Sequence, residues 1–159
     1  MRQSDKEIPL ARNNLMKKFG LIGYPISHSL SPALFKAAYN GKYIYDLIEI
    51  EDFETAYQKF LDEYAVINVT APFKEPAFQK ADIVSEECKA IGATNILKKT
   101  DEGKIIAGNS DHLGVSGAIA ENIAPEMNIS KVALIVGCGG AAKAAAYATC
   151  KDGYKTIIL

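Results

Sequence analysis

The chain has 159 residues, with 18 basic against 19 acidic side chains and a formal net charge of −1. That length allows one sizeable core, or one domain and a piece of another. The balanced charge, with no clustered basic face, argues against a nucleic-acid partner. No apolar run reaches membrane-spanning length, and a membrane partner is not expected. Cys88, Cys138 and Cys150 lack CxxC spacing, which points to free thiols in a reducing cytoplasm. His28 and His112 have no ligand-spaced neighbours, so no metal site is expected.

In chain order, residues 1–15 show no sustained periodicity and are expected to be a mobile leader, ahead of a first domain at 16–124. Residues 19–23 read as a short buried strand. Ser31 suits an N-cap, with Pro32 at the first helical position and Gly41 just past the helix end. Residues 43–50 are strand-like. Phe53, Tyr57, Phe60, Leu61 and Tyr64 then recur at helical spacing, behind the acidic pair Glu51 and Asp52. Residues 65–69 are the next strand, and Ser85-Glu86-Glu87 opens another helix. Residues 93–97 and 104–107 flank the polar turn Thr100-Asp101-Glu102-Gly103 as a hairpin or as neighbouring strands. Residues 113–123 read as a helix whose Gly114 and Gly117 imply close approach of another backbone or a ligand.

A linker at 125–130 marks a domain boundary. Beyond it come a strand at 132–136, a glycine turn, a helix at about 141–150 and a strand at 155–159. The fold class is therefore α/β: a three-layer, mostly parallel sheet, followed at 131–159 by a truncated Rossmann-like unit. One strand-helix-strand unit cannot bury both faces of its sheet, so the chain is expected to be a fragment or a truncated product. The final strand is expected to be prone to association, while the oligomeric state is not legible.

Lys74, closing Asn68-Val69-Thr70-Ala71-Pro72-Phe73-Lys74, and Asp111, closing Gly108-Asn109-Ser110-Asp111, are lone charges at the ends of apolar runs. Ligands of α/β proteins sit beyond the carboxyl ends of strands, where an amine and a carboxylate together would handle protons. The competing account is two solvated surface charges. Ser27, Ser29 and Ser31 alternate before a helix start, where Ser29 and Ser31 can donate to an anion. They equally suit a capping and turn network. Gly137, Gly139 and Ala142 fit the G-x-G-x-x-G/A spacing of a dinucleotide turn, against the alternative of a ligand-free packing turn. The residue that separates NAD from NADP would fall beyond Leu159. His28 reads as a hydrogen-bonded turn histidine, and Tyr39, Tyr57 and Tyr64 as core or interface.

Together, Gly23-x-Pro25-x-x-His28-Ser29-x-Ser31-Pro32, Asn68-Val69-Thr70-x-Pro72-Phe73-Lys74, Gly92-Ala93-x-Asn95, Asn109-Ser110-Asp111 and Gly137-x-Gly139-Gly140-Ala141 resemble the shikimate dehydrogenase family, in order and spacing, from 19 to 159. The resemblance implies NADPH-dependent reduction of 3-dehydroshikimate to shikimate, on the route to chorismate and the aromatic amino acids. A quinate/shikimate dehydrogenase and an inactive shikimate-binding fragment are the alternatives. By motif, Ser29 and Ser31 would hold the substrate carboxylate, and Thr70, Lys74, Asn95 and Asp111 the ring hydroxyls and the reacting oxygen. Lys74 and Asp111 would be the catalytic pair. Gly137, Gly139, Gly140 and Ala141 would meet the NADP pyrophosphate. The chain departs from the family pattern at Ala71, Thr94, Ile96, Ser110 and His112, and His112 is expected to alter the approach of substrate or nicotinamide. Retention of serine at Ser31 leans toward shikimate. The isolated chain is expected to have little activity.

Overall fold

The computed structural model describes residues 18–123 and 131–159. The expected leader at 1–15 and the expected linker at 125–130 lie outside the described residues. The elements are β1 (Phe19–Gly23), α1 (Ser31–Ala38), β2 (Tyr45–Glu49), α2 (Phe53–Glu63), β3 (Val66–Val69), α3 (Lys74–Gln79), β4 (Ile83–Val84), α4 (Glu86–Ile91), β5 (Ile96–Lys99), β6 (Ile105–Gly108), α5 (Asp111–Asn122), β7 (Val132–Ile135), α6 (Gly140–Lys151) and β8 (Lys155–Ile158).

The first six strands form one sheet in the order β2-β1-β3-β5-β6-β4. β1 pairs in parallel with both β2 and β3, and β4 in parallel with β6. β5 alone is reversed, antiparallel to β3 and β6, so residues 96–108 form the hairpin that the sequence left open. The connection β1-α1-β2 steps to one side, and β2-α2-β3 steps back across β1. Right-handed crossovers in opposite directions set α1 and α2 on opposite faces, which gives three layers.

Strand alternation divides the two faces by function. Ile22, Ile48, Ile67 and Val69 turn toward α2 and pack with Ala56, Tyr57 and Phe60 in the main core. Leu21, Tyr45 and Asn68 line the other side. There α1 buries none of its residues completely. Its Phe35 instead stacks obliquely on Phe19, Tyr39 and Tyr45, with centroids at 5.2, 4.5 and 4.7 Å. Stability thus resides mainly on the α2 face. Tyr57 and Tyr64 belong to that core, whereas Tyr39 is half exposed.

The helix signals hold for α2, where Asp52 Oδ2 accepts from Thr55 N at 2.8 Å, and for α4, where Ser85 Oγ accepts from Cys88 N at 3.2 Å. The hydrogen bonds from Thr55 hold the Asp52 carboxyl below the usual carboxylate range. Other expectations need correction. Ser31 is not the N-cap of α1: the helix starts at Ser31 itself, and Leu30 occupies the cap position without a side-chain bond. The helix also stops at Ala38, and the chain then turns through left-handed Asn40 (φ 51°) and Gly41 (φ 69°), with Gly41 N donating to Lys36 O at 2.9 Å. α3 and β4 have no counterpart among the elements expected from the sequence, and α3 contains Pro76. It is the third residue of α3, where the backbone N–H has no intrahelical partner to lose. Among the described residues no other backbone approaches Gly114 or Gly117, since a Cβ on either would meet nothing within 4 Å.

β7, α6 and β8 form a parallel β-α-β unit, with Ala144 and Ala148 of α6 buried. α6 packs on α5, where Ser116 Oγ donates to Asp152 Oδ2 at 2.8 Å. Val132, Leu134 and Ile157, which share one face of this small sheet, are exposed, so that face is uncovered among the described residues.

Gly23 marks where β1 meets the segment after β3. A Cβ there would lie 2.4 Å from Thr70 Cγ2 and 2.9 Å from Ala71 O, and the second of these is backbone that cannot swing aside. Gly23→Ala is expected to destabilise the chain by about 1–3 kcal/mol. Urea unfolding should show this as a lower midpoint at unchanged slope; an unshifted midpoint would mean that the contact relaxes without cost.

Candidate active site

Lys74 opens α3 just beyond β3, and Asp111 opens α5 just beyond β6. β3 and β6 point the same way, so both helices begin at one edge of the sheet. β5 runs against both, which brings the residue before it, Asn95, to that same edge. The loop after β1 delivers Ser29 and Ser31 there too. Four chain segments therefore converge beyond the carboxyl ends of parallel strands, as expected for ligand sites in such sheets.

Lys74 Nζ donates to Asp111 Oδ2 at 2.5 Å, with the side chains 14% and 29% exposed. Asn95 Nδ2 donates to the other carboxylate oxygen, Asp111 Oδ1, at 2.8 Å and to Ser110 Oγ at 2.9 Å. Its Oδ1 accepts from Ser110 N at 3.0 Å. Asn109, buried behind them, accepts from Asp111 N at 3.0 Å and donates to Ala93 O at 2.9 Å. The carboxylate is thus fixed by Lys74, by Asn95 and through its own backbone before any ligand arrives. Across the cleft, Ser29 Oγ donates to Ser31 Oγ at 3.1 Å and accepts from Ser31 N at 3.2 Å. The expected turn network exists, and its hydroxyls face the cleft.

Ser29, Ser31, Thr70, Lys74, Asn95 and Asp111 all line one cleft of 920 Å³, near the upper end of the range for small-molecule sites. The structure brings together all six residues expected to touch substrate. His28 also lies at the cleft. It is exposed and makes no side-chain hydrogen bond among the described residues, unlike the turn histidine expected. His112 faces away from the cleft. It is buried at 6% exposure, edge-on to Tyr147 of α6 at 5.3 Å, with Nδ1 unpartnered among the described residues. It serves the contact between α5 and α6 and is not among the residues that line the cleft.

Gly137, Gly139, Gly140 and Ala141 lie outside the cleft lining but next to it. Gly140 opens α6, and a Cβ on it would come within 3.0 Å of both Cβ and Cδ of Lys74. Glycine lets the helix N-terminus sit against the lysine stem without that stem having to shift. Gly137 has φ 120°, a conformation that glycine favours. Gly137 and Gly139 open onto space, since a Cβ on either meets nothing within 4 Å, and the first turn of α6 carries no acid. Exposed backbone N–H groups at an unopposed helix N-terminus fit a diphosphate. Among the described residues no group of three or more His, Cys, Asp or Glu side chains gathers as metal ligands would. No described helix is long and apolar enough to cross a membrane. Burial pushes the Cys88 thiol up, away from reactivity.

Two further cleft residues carried no assignment from the sequence. Asn68 stood inside a motif without a role, and Tyr45 was not singled out. Tyr45 OH donates to Asn68 Oδ1 at 2.9 Å, and Asn68 Nδ2 donates to Asn95 O at 3.3 Å. The period-two pattern of 45–49, with Ile48 on the core face, was the signal that could have found Tyr45.

Residues 21–97 match the family model described as the shikimate dehydrogenase substrate binding domain. Proteins named shikimate dehydrogenase (NADP(+)) are similar in sequence: that of Aquifex aeolicus is 36% identical over 146 residues, and that of Carboxydothermus hydrogenoformans 37% over 152. The matches cover 88% and 92% of this chain and 53% of each relative, so the chain spans about half their length. Among solved structures, shikimate dehydrogenase from Aquifex aeolicus superposes with a TM-score of 0.79 at 32% identity, covering 93% of this chain and 57% of that one. A shikimate dehydrogenase from Thermus thermophilus, in complex with NADP(H) and shikimate, gives 0.77 at 29% identity, covering 90% and 55%. In sequence and fold, the chain belongs to the shikimate dehydrogenase family.

Proposed function

We propose that this chain is the shikimate-binding part of an NADP-dependent shikimate dehydrogenase, reducing 3-dehydroshikimate to shikimate in aromatic amino acid biosynthesis. In this reading, residues 16–124 are the substrate domain and 131–159 the first part of the NADP-binding domain, working in the cytoplasm. The observation that carries it is the Lys74–Asp111 pair, at 2.5 Å, in the same cleft as the Ser29–Ser31 hydroxyls. A relative solved with NADP(H) and shikimate, and relatives named for NADP(+), support the choice of ligands.

Reduction of a ring ketone needs a hydride at carbon and a proton at oxygen. NADPH, when bound at the Gly137–Ala141 turn, supplies the hydride. Ser29 and Ser31 turn their protons to the substrate carboxylate, aided by the positive end of α1. That anchors one end of the ring and brings the other to Lys74. The Lys74 ammonium donates a hydrogen bond to the ketone oxygen, stabilises its developing charge and transfers the proton that completes the alcohol. Asp111 holds Nζ in place and accepts from a neighbouring ring hydroxyl, while Thr70 and Asn95 complete the polar wall. The close contact of Gly140 with Lys74 puts the dinucleotide turn directly beside the proton donor.

The test is in two parts. Calorimetric titration of the chain should show shikimate binding, and a chimera carrying the C-terminal half of the Aquifex aeolicus relative should reduce NADP+ with shikimate; absence of both ends the proposal. In that chimera Lys74→Ala is expected to lower kcat by about a hundredfold or more. Turnover within a few-fold of the parent would remove Lys74 from the chemistry. Ser29→Ala should raise KM about tenfold with kcat little changed; an unaltered KM would leave Ser29 a turn residue only.

A further inference from the structure

The cleft contains one buried polar connection that the proposed reaction does not use. Tyr45 sits on β2 opposite Phe19, and Asn68 on β3 opposite Leu21, so the phenol reaches diagonally across β1 to Asn68. Phe35 of α1, 4.7 Å from the Tyr45 ring, keeps it in that position. Burial raises the phenol above its ordinary range, with the neighbouring Ser31 side chain acting the other way. A phenol has a single proton to donate, and here it goes to Asn68 Oδ1.

The consequence falls on Asn68. A side-chain amide can present either edge to a ligand, and the edge decides whether it donates or accepts. Here Oδ1 is taken by Tyr45 at 2.9 Å, and one proton of Nδ2 is taken by Asn95 O at 3.3 Å. The second Nδ2 proton is left for the cleft that Asn68 lines. Without the phenol, Oδ1 would lose its donor in a partly buried place, and the amide would turn to find another.

We propose that Tyr45 is a positioning residue that locks the Asn68 amide with its N–H edge toward the cleft, so that the site selects a carboxylic acid carrying a ring oxygen able to accept a hydrogen bond there. The role rests on the reading of the cleft as a site for shikimate-like acids. It adds a specificity determinant remote from the reacting atoms: Tyr45 acts only through Asn68.

Calorimetric titration of the 159-residue chain with shikimate and with cyclohex-1-ene-1-carboxylate, which lacks the ring hydroxyls, tests this. Tyr45→Phe is expected to weaken shikimate about tenfold and to leave the hydroxyl-free acid within about twofold. In an Asn68→Ala background, Tyr45→Phe should have no further effect on shikimate. Asn68→Asp keeps an acceptor for the phenol but has no donor for the ligand, and should lose at least as much shikimate affinity as Tyr45→Phe. Unchanged shikimate affinity in Tyr45→Phe, equal loss for both acids, or an undiminished effect without Asn68 would each overturn the role while leaving the cleft a shikimate site. If the unaltered chain bound the hydroxyl-free acid as tightly as shikimate, Asn68 would have no ligand oxygen to read and the role would fall. Failure of the unaltered chain to bind either acid would overturn the functional reading, and the role of Tyr45 with it.

Discussion

The reversal of one strand, β5, is the constraint on which the site depends. In a wholly parallel sheet the start of β5 would lie at the edge opposite the ends of β3 and β6. Because it runs antiparallel, Asn95 arrives where Lys74 and Asp111 leave their strands. Its backbone ties the edge together, with Asn95 O accepting from Val69 N at 2.8 Å and Asn95 N donating to Gly108 O at 3.2 Å. Its side chain then clamps Ser110 and Asp111. One residue thereby converts sheet register into side-chain geometry. Thr94, fully buried beside it, accommodates its departure from the family pattern with its one hydroxyl proton between Ile96 O at 2.8 Å and Gly108 O at 2.6 Å.

The same sheet separates what stabilises from what binds. On the α2 face, large apolar side chains are packed without exposure, Phe60, Ile22 and Ile67 among them. On the α1 face, the helix is held by an oblique aromatic cluster and leaves a cleft. The partly buried Lys74–Asp111 pair is weak evidence of stability, because desolvation offsets much of the attraction. Its value is chemical: a charge pair held at the end of a rigid core keeps its geometry without requiring the pair itself to be stabilising. Glu75 of α3 extends the connection, meeting Lys143 of α6 at 2.8 Å, so the glycine turn and the lysine helix are joined by an ion pair as well as by the Gly140 contact.

Much of this was legible in the sequence. The capped helices α2 and α4 were, because Asp52 and Ser85 are local signals that need no tertiary partner. The site motifs were legible as a set, since each sits where an apolar strand gives way to small polar residues. What escaped depended on context. Pro76 is compatible with α3 only because it falls in the first turn, which periodicity could not locate within six residues. β4 is two residues long and exists by pairing with β6. Gly114 and Gly117 promised a close approach, yet α5 meets α6 through His112 and Ser116, and the glycines face outward. Tyr45 escaped because its significance lies in which strand β1 separates it from. That is a fact of strand order, absent from local sequence.

The resting cleft also explains how it can be both well satisfied and receptive. Ser29 commits its hydroxyl proton within the protein, donating to Ser31 Oγ at 3.1 Å. In the proposed role, a carboxylate must displace that neutral bond to take the proton. Bonds to an ionised acceptor are roughly twice as strong as neutral ones, so the exchange favours the anion. Tyr45 keeps Asn68 as its own acceptor throughout. A neutral ligand of the same shape gains no such advantage, since it offers bonds no stronger than those it breaks. In the proposed role, discrimination for an acid at this end of the cleft therefore follows from a hydroxyl that is already paired, and needs no fixed positive side chain beside it.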